Sequence, residues 1–134
     1  MKFLLDTNIC VFLIRNQFER IRRHIRSHRV GEIGVSAITE AELRFGADKS
    51  FDPGKNHAVL ERFFLTLPVL AFESGFAREY GRIRAILEKK GTPIGSLDTL
   101  IAAHALSEGL TVVTTNTREF KRVPGLRVVN WTKD

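Results

Sequence analysis

Asp6, Glu42, Asp98 and Glu119 are the acidic side chains whose placement could support joint chemistry. Asp6 closes the apolar run of KFLLDTNI, Glu42 lies six residues past a second such run in SAITEAELRFG, and Asn116 and Glu119 follow a third in TVVTTNTREF. Asp98 opens a helical pattern in PIGSLDTLIAAHA. Carboxylates that converge repel one another, so such a cluster is costly unless it is protonated, dispersed or neutralised by a cation. Hard oxygen donors without a matching His and Cys set favour Mg²⁺ or Mn²⁺ over zinc. The histidines agree with that choice. His24 and His28 belong to a basic segment, His57 falls in a predicted loop, and His104, six residues after Asp98 and off its helical face, reads as a packed or solvated imidazole.

The elements that must position these groups follow from hydrophobic spacing. Short β-type runs are predicted at Lys2 to Leu5, Ile33 to Ser36, Val69 to Phe72, Thr111 to Thr114 and Arg127 to Val129. Between them lie helical patterns: a helix beginning near Asn8, one over about Phe18 to Arg29, and one over Ala58 to Leu67 with Leu60, Phe63, Phe64 and Leu67 on one face. Another starts near Glu73, uses Phe76, Tyr80, Ile83 and Leu87, and stops at Lys90-Gly91; the last spans Leu97 to Ser107 and ends before Gly109. Strands alternating with helices predict an α/β fold with a mainly parallel sheet covered on both faces. Ligands bind such sheets beyond the carboxyl ends of the strands, which is where Asp6 falls.

Each acid also has a local explanation. Thr39 with Glu42, and Asn116 with Glu119, have the form of capping boxes; Asp98 two residues after a Ser96 N-cap would meet the helix dipole; Asp6 could cap the first helix. Caps can sit at any helix start, however, whereas these residues converge on one edge.

The 134 residues fit one domain, with 43% hydrophobic and 27% charged side chains and no internal repeat. Asp6 interrupts the N-terminal apolar run before a signal-peptide core could form, no run approaches a membrane span, and Cys10 can form no intrachain disulfide, so a reducing cytoplasm is expected. Cys10 reads as a packed side chain. The net charge of +6 favours polyanionic partners. It concentrates in RNQFERIRRHIRSHR, where Phe18, Ile21 and Ile25 predict an apolar seam and Arg20, Arg22, Arg23, Arg26 and Arg29 an arginine-rich outer face. That face is either simply solvated or a contact for nucleic-acid backbone or an acidic partner.

Taken together, LLDTN, ITEAELRFGA, PIGSLDTLIAAHA and TTNTREFKRVPGL, in this order and nearly end to end, resemble the PIN-domain ribonucleases, specifically the VapC-type toxins of bacterial toxin–antitoxin pairs. The resemblance implies a three-layer α/β/α sandwich over residues 1–134 and metal-binding carboxylates at Asp6, Glu42 and Asp98. Many relatives carry Asp where this chain has Asn116, so the fourth position falls to Asn116 or Glu119. Thr7, Asn8 and Thr114 correspond to polar positions that orient a carboxylate or a water. The implied chemistry is Mg²⁺-dependent hydrolysis of RNA, with Mn²⁺ as substitute, leaving a 5′-phosphate and a 3′-hydroxyl; in some relatives the target is the anticodon region of initiator transfer RNA. Arg15, Arg22, Arg23, Arg118, Lys121 and Arg122 are the candidate RNA contacts. A VapB-type antitoxin and homodimerisation are further implications. Two rivals remain: a basic nucleic-acid-binding module whose acids only cap helices, and a haloacid-dehalogenase-type phosphatase, which would need a second Asp where Asn8 stands.

Overall fold

The computed structural model describes residues 1–133. The elements run β1 (Phe3–Leu5), α1 (Thr7–Ile14), α2 (Glu19–Arg26), β2 (Ile33–Ser36), α3 (Ala37–Asp48), α4 (Pro53–Thr66), β3 (Val69–Leu70), α5 (Ser74–Lys89), α6 (Ser96–Glu108), β4 (Thr111–Val113), α7 (Thr117–Phe120) and β5 (Val128–Val129). Among the described residues the strands form one five-stranded sheet in the order β3-β2-β1-β4-β5, with every pairing parallel. β1 is central, and the chain moves outward from it in both directions. The carboxyl end of β1, where Asp6 sits, is therefore the point where loops to either side diverge, the place at which such sheets bind ligands.

Alternation along β1 and β4 divides the core into two layers. Leu5 and Val113 face a cluster with Ile9, Cys10, Ile21, Leu43 and Leu60, while Leu4 and Val112 face Ile83, Leu87, Ile101 and Phe120. Helices thus cover both faces, giving the expected α/β/α sandwich. Cys10 is fully buried, as a packed thiol should be, and burial pushes its pKa far up. Helix α5 stops where expected. Gly91 adopts φ 72°, and the Thr92 amide donates back to the Leu87 carbonyl at 2.9 Å; Gly109 closes α6 with φ 67°.

Several expectations need correcting. α4 begins at Pro53, because Asp52 accepts from the Lys55 amide at 3.2 Å and Pro sits at the first helical position; His57 is consequently in a helix and not a loop. α2 is shorter than expected at both ends: Phe18 has a left-handed φ of 57°, is exposed and packs on Phe12 at 4.8 Å, so the apolar seam reduces to Ile21 and Ile25. The α3 cap is Ser36, whose hydroxyl accepts from the Ile38 amide at 3.1 Å, so Thr39 lies inside the helix and forms no capping box with Glu42. Likewise Gly95 precedes α6 and Ser96 is its first residue. β3 ends at Leu70 and leaves Phe72 outside the sheet. No helix among the described residues is long and apolar enough to cross a membrane.

Candidate active site

Asp6 leaves β1 and caps α1, and both of its oxygens are occupied. Oδ1 accepts from the Thr7 amide at 2.8 Å, and Oδ2 accepts from the Thr114 hydroxyl at 2.7 Å. Thr114 comes from just past β4, and its oxygen accepts in turn from the Asn116 amide at 2.9 Å. The adjacent strand therefore holds the carboxylate rigid. Asp6 is 4% exposed, and burial raises its pKa above the ordinary range; the two donors pull it down, and the charge of Glu42 raises it. Capping and participation in the acidic cluster coexist in this residue.

Glu42 projects from the second turn of α3. The Thr7 hydroxyl donates to its Oε1 at 2.7 Å and stands 3.3 Å from the hydroxyl of Thr39, which is fully buried. A groove lined by Thr7, Arg15, Glu42, Leu43, Gly46 and Lys49 opens beside this carboxylate.

Asp98 is half-buried in the first turn of α6, and its pKa is raised to about 6. Burial is the main cause, followed by the charges of Asp6, Glu42 and Glu119, while the Asn116 side chain opposes the rise. Asp98 therefore feels three carboxylates delivered from other segments to this edge. Asn116 Nδ2 donates to Glu119 Oε2 at 3.0 Å. Turning the amide oxygen toward that carboxylate would set two acceptors face to face, so Asn116 serves the acids as a donor. Asn116 occupies the cap position of α7 without a side-chain capping bond, so the second expected capping box is also absent.

The remaining candidates divide by position. Asn8 is exposed on α1; Arg118 is exposed on α7 and Lys121 just past it. Arg122 does more than line a rim, because its guanidinium donates to the Pro93 carbonyl at 3.0 Å and ties the loop before α6 to the segment after α7. Arg22 lies 3.6 Å from Glu19 on α2, where Arg23 is exposed. Thr39, considered only as a cap, instead lies against Thr7 beneath Glu42; its spacing three residues before Glu42 was the available signal.

The donor chemistry fits a hard divalent cation: the converging groups are carboxylates and an amide. Among the described residues no group of three or more His, Cys, Asp or Glu side chains is already closed into a ligand set. The acids instead interact at electrostatic range, with one oxygen of Glu42 fixed by Thr7 and one of Glu119 by Asn116.

Comparison with known proteins places these features in context. The family model described as PIN domain matches residues 3–126. The tRNA(fMet)-specific endonuclease VapC of Salmonella typhimurium is 47% identical over 131 residues, covering 98% of each chain. Ribonuclease VapC2 of Haemophilus influenzae is 46% identical over 132 residues, again covering 98% of each. Among solved structures, DNA-bound VapBC from Salmonella typhimurium contains a chain that superposes with a TM-score of 0.92 at 47% identity, covering 98% of both chains.

Proposed function

This chain belongs to the PIN-domain family and, within it, to the VapC ribonucleases, and from that premise we propose that Asp6, Glu42, Asp98 and Glu119 form the active site of a metal-dependent endoribonuclease. It is the toxin of a toxin–antitoxin pair, and its partner is a VapB-type antitoxin. The substrate is RNA; by analogy with the Salmonella relative, we assign initiator transfer RNA as the target. We place the activity in a single domain, as a cytoplasmic homodimer.

One observation carries the assignment of residues: Asp98, whose pKa is raised first by its burial, also feels the charges of three carboxylates delivered from three other segments. Helix capping alone gives no reason for that convergence. Asp6, Glu42 and Asp98 would hold Mg²⁺, or Mn²⁺ in its place, with Glu119 as the fourth acid. Such a cation, when bound, polarises the scissile phosphate and offsets the repulsion among the acids. The chain's own residues supply the geometry. Thr7 and Thr114 fix Asp6, Thr7 also fixes Glu42, and Asn116 holds Glu119 by a neutral hydrogen bond that adds no charge to the cluster. Arg15 in the groove and Arg118, Lys121 and Arg122 around α7 are placed to meet phosphates flanking the cut, with Arg22 and Arg23 as a second basic surface.

Antitoxin-free protein incubated with a total transfer-RNA pool tests this reading. Discrete fragments of one species, formed with Mg²⁺ or Mn²⁺ and suppressed by chelator, are expected. Folded protein that binds the pool but cuts nothing with either metal would favour a non-catalytic binding module.

A further inference from the structure

The buried face of α6 is built from Ile101, Ala102, Ala103 and Ala105, and His104 stands among them at 1% exposure. Its ring lies edge-on to Phe72, with centroids 5.9 Å apart, and tilted against Phe76 at 4.8 Å. Its Nδ1 is 2.8 Å from Ser36 Oγ, a contact that spans 68 positions of sequence. That same oxygen accepts from the Ile38 amide as the cap of α3. A serine hydroxyl has one proton to give. With the Ile38 N–H directed at the oxygen, the hydroxyl proton is left to donate to Nδ1, and we assign the imidazole as neutral with its own proton on Nε2. Burial favours this neutral form by lowering the His104 pKa, against a weaker opposing influence from Glu73.

An imidazole is a costly choice for such a place, since an apolar side chain would fill it without desolvation. What the imidazole adds is a directed bond between the two helices that carry acids. α6 presents Asp98 in its first turn, and α3 presents Glu42 in its second turn beyond the Ser36 cap. We propose that His104 is a positioning residue, which through Ser36 fixes the start of α3 against α6 and so sets the separation between Glu42 and Asp98. The proposal rests on the reading that these carboxylates hold a divalent cation.

Mn²⁺ affinity of the antitoxin-free protein, measured from the electron paramagnetic resonance signal of unbound Mn²⁺, separates positioning from mere packing. The proteins are the parent, D98N, H104L, H104N, S36A and the double variant H104L/S36A, each below its melting temperature. Asn places its amide oxygen near the position of Nδ1 and keeps an acceptor there; Leu does not. H104L and S36A should each weaken Mn²⁺ binding about tenfold, and the H104L/S36A pair should be no weaker than either alone. H104N should stay within about threefold of the parent. Parent-like affinity in H104L, even with a lowered melting temperature, would overturn the proposal, as would H104N as weak as H104L. If H104L does not fold, S36A decides alone, parent-like binding again overturning it. A parent that binds no Mn²⁺, or binds it no better than D98N, would instead remove the metal-site reading, and the proposal with it.

Discussion

At the carboxyl edge of the sheet, Asp6 is buried and gripped by Thr7 and Thr114, and burial together with the charges of the other acids raises Asp98 to about 6. On the outer face of α2, Glu19 is exposed between Arg22 at 3.6 Å and Arg26 at 2.7 Å, and Arg26 holds its carboxyl below the ordinary range. The first region gathers like charge out of water and fixes it by neutral donors. The second displays opposite charges in solvent, where screening makes each pair worth little. Unrelieved like charge held by a rigid frame suits a cation. An exposed arginine surface, strong in sum and loose in geometry, suits the backbone of a polyanion.

Neutralising the gathered charge should have the largest effect. D6N and D98N should each lower RNA cleavage at least about a hundredfold while leaving RNA affinity at or above that of the parent. Parallel cleavage and filter-binding assays check this; binding lost together with cleavage would merge the two regions. Removing a donor from the frame is next. T114V strips a hydrogen bond from Asp6, so its pKa should rise further, cleavage should fall about tenfold, and the acid limb of the pH–rate profile should move to higher pH. An unshifted limb would break the link between Thr114 and Asp6.

The basic region is tested by reversal of charge. R22E/R23E should weaken RNA binding about tenfold at low salt, with a difference that shrinks as salt rises and antitoxin affinity unchanged. Loss of antitoxin binding with RNA binding intact would give α2 to the antitoxin.

The smallest effect is on stability without metal. Below about pH 4, Asp98 is protonated in both folded and unfolded chains and costs nothing. Between pH 4 and 6 the unfolded chain releases this proton while the folded one retains it, so stability falls as pH rises, and above about 6 the penalty is complete. At pH 7, D98N should therefore melt no lower than the parent and up to roughly 2–4 °C higher, with the difference vanishing near pH 4. A large loss of melting temperature in both D6N and D98N would favour capping as their main role.

The acids were legible in the sequence because position carries the information: Asp6 directly follows a strand, and Asp98 opens a helix whose apolar spacing is plain. How they are held was less legible. The Thr39 and Glu42 pair has the form of a capping box, but Ser36, at the end of a fully buried strand, takes the cap first and carries Thr39 into the helix. α4 looked short because its apolar rhythm begins at Ala58, although Asp52-Pro53 marks its true start. The bonds from Thr114 to Asp6 and from His104 to Ser36 join residues 108 and 68 positions apart, and no local pattern encodes such pairings. Nor does the sequence show that Asn116 donates through Nδ2 to Glu119.

The most direct test of the central claim is single-turnover cleavage of initiator transfer RNA across a Mg²⁺ titration, with parent and D98N assayed for binding on the same RNA. The account predicts a parent rate that rises and saturates with Mg²⁺, and a D98N protein that binds the RNA equally well without cutting it. Equal cleavage by both proteins, or a parent rate indifferent to Mg²⁺ and chelator, would contradict it.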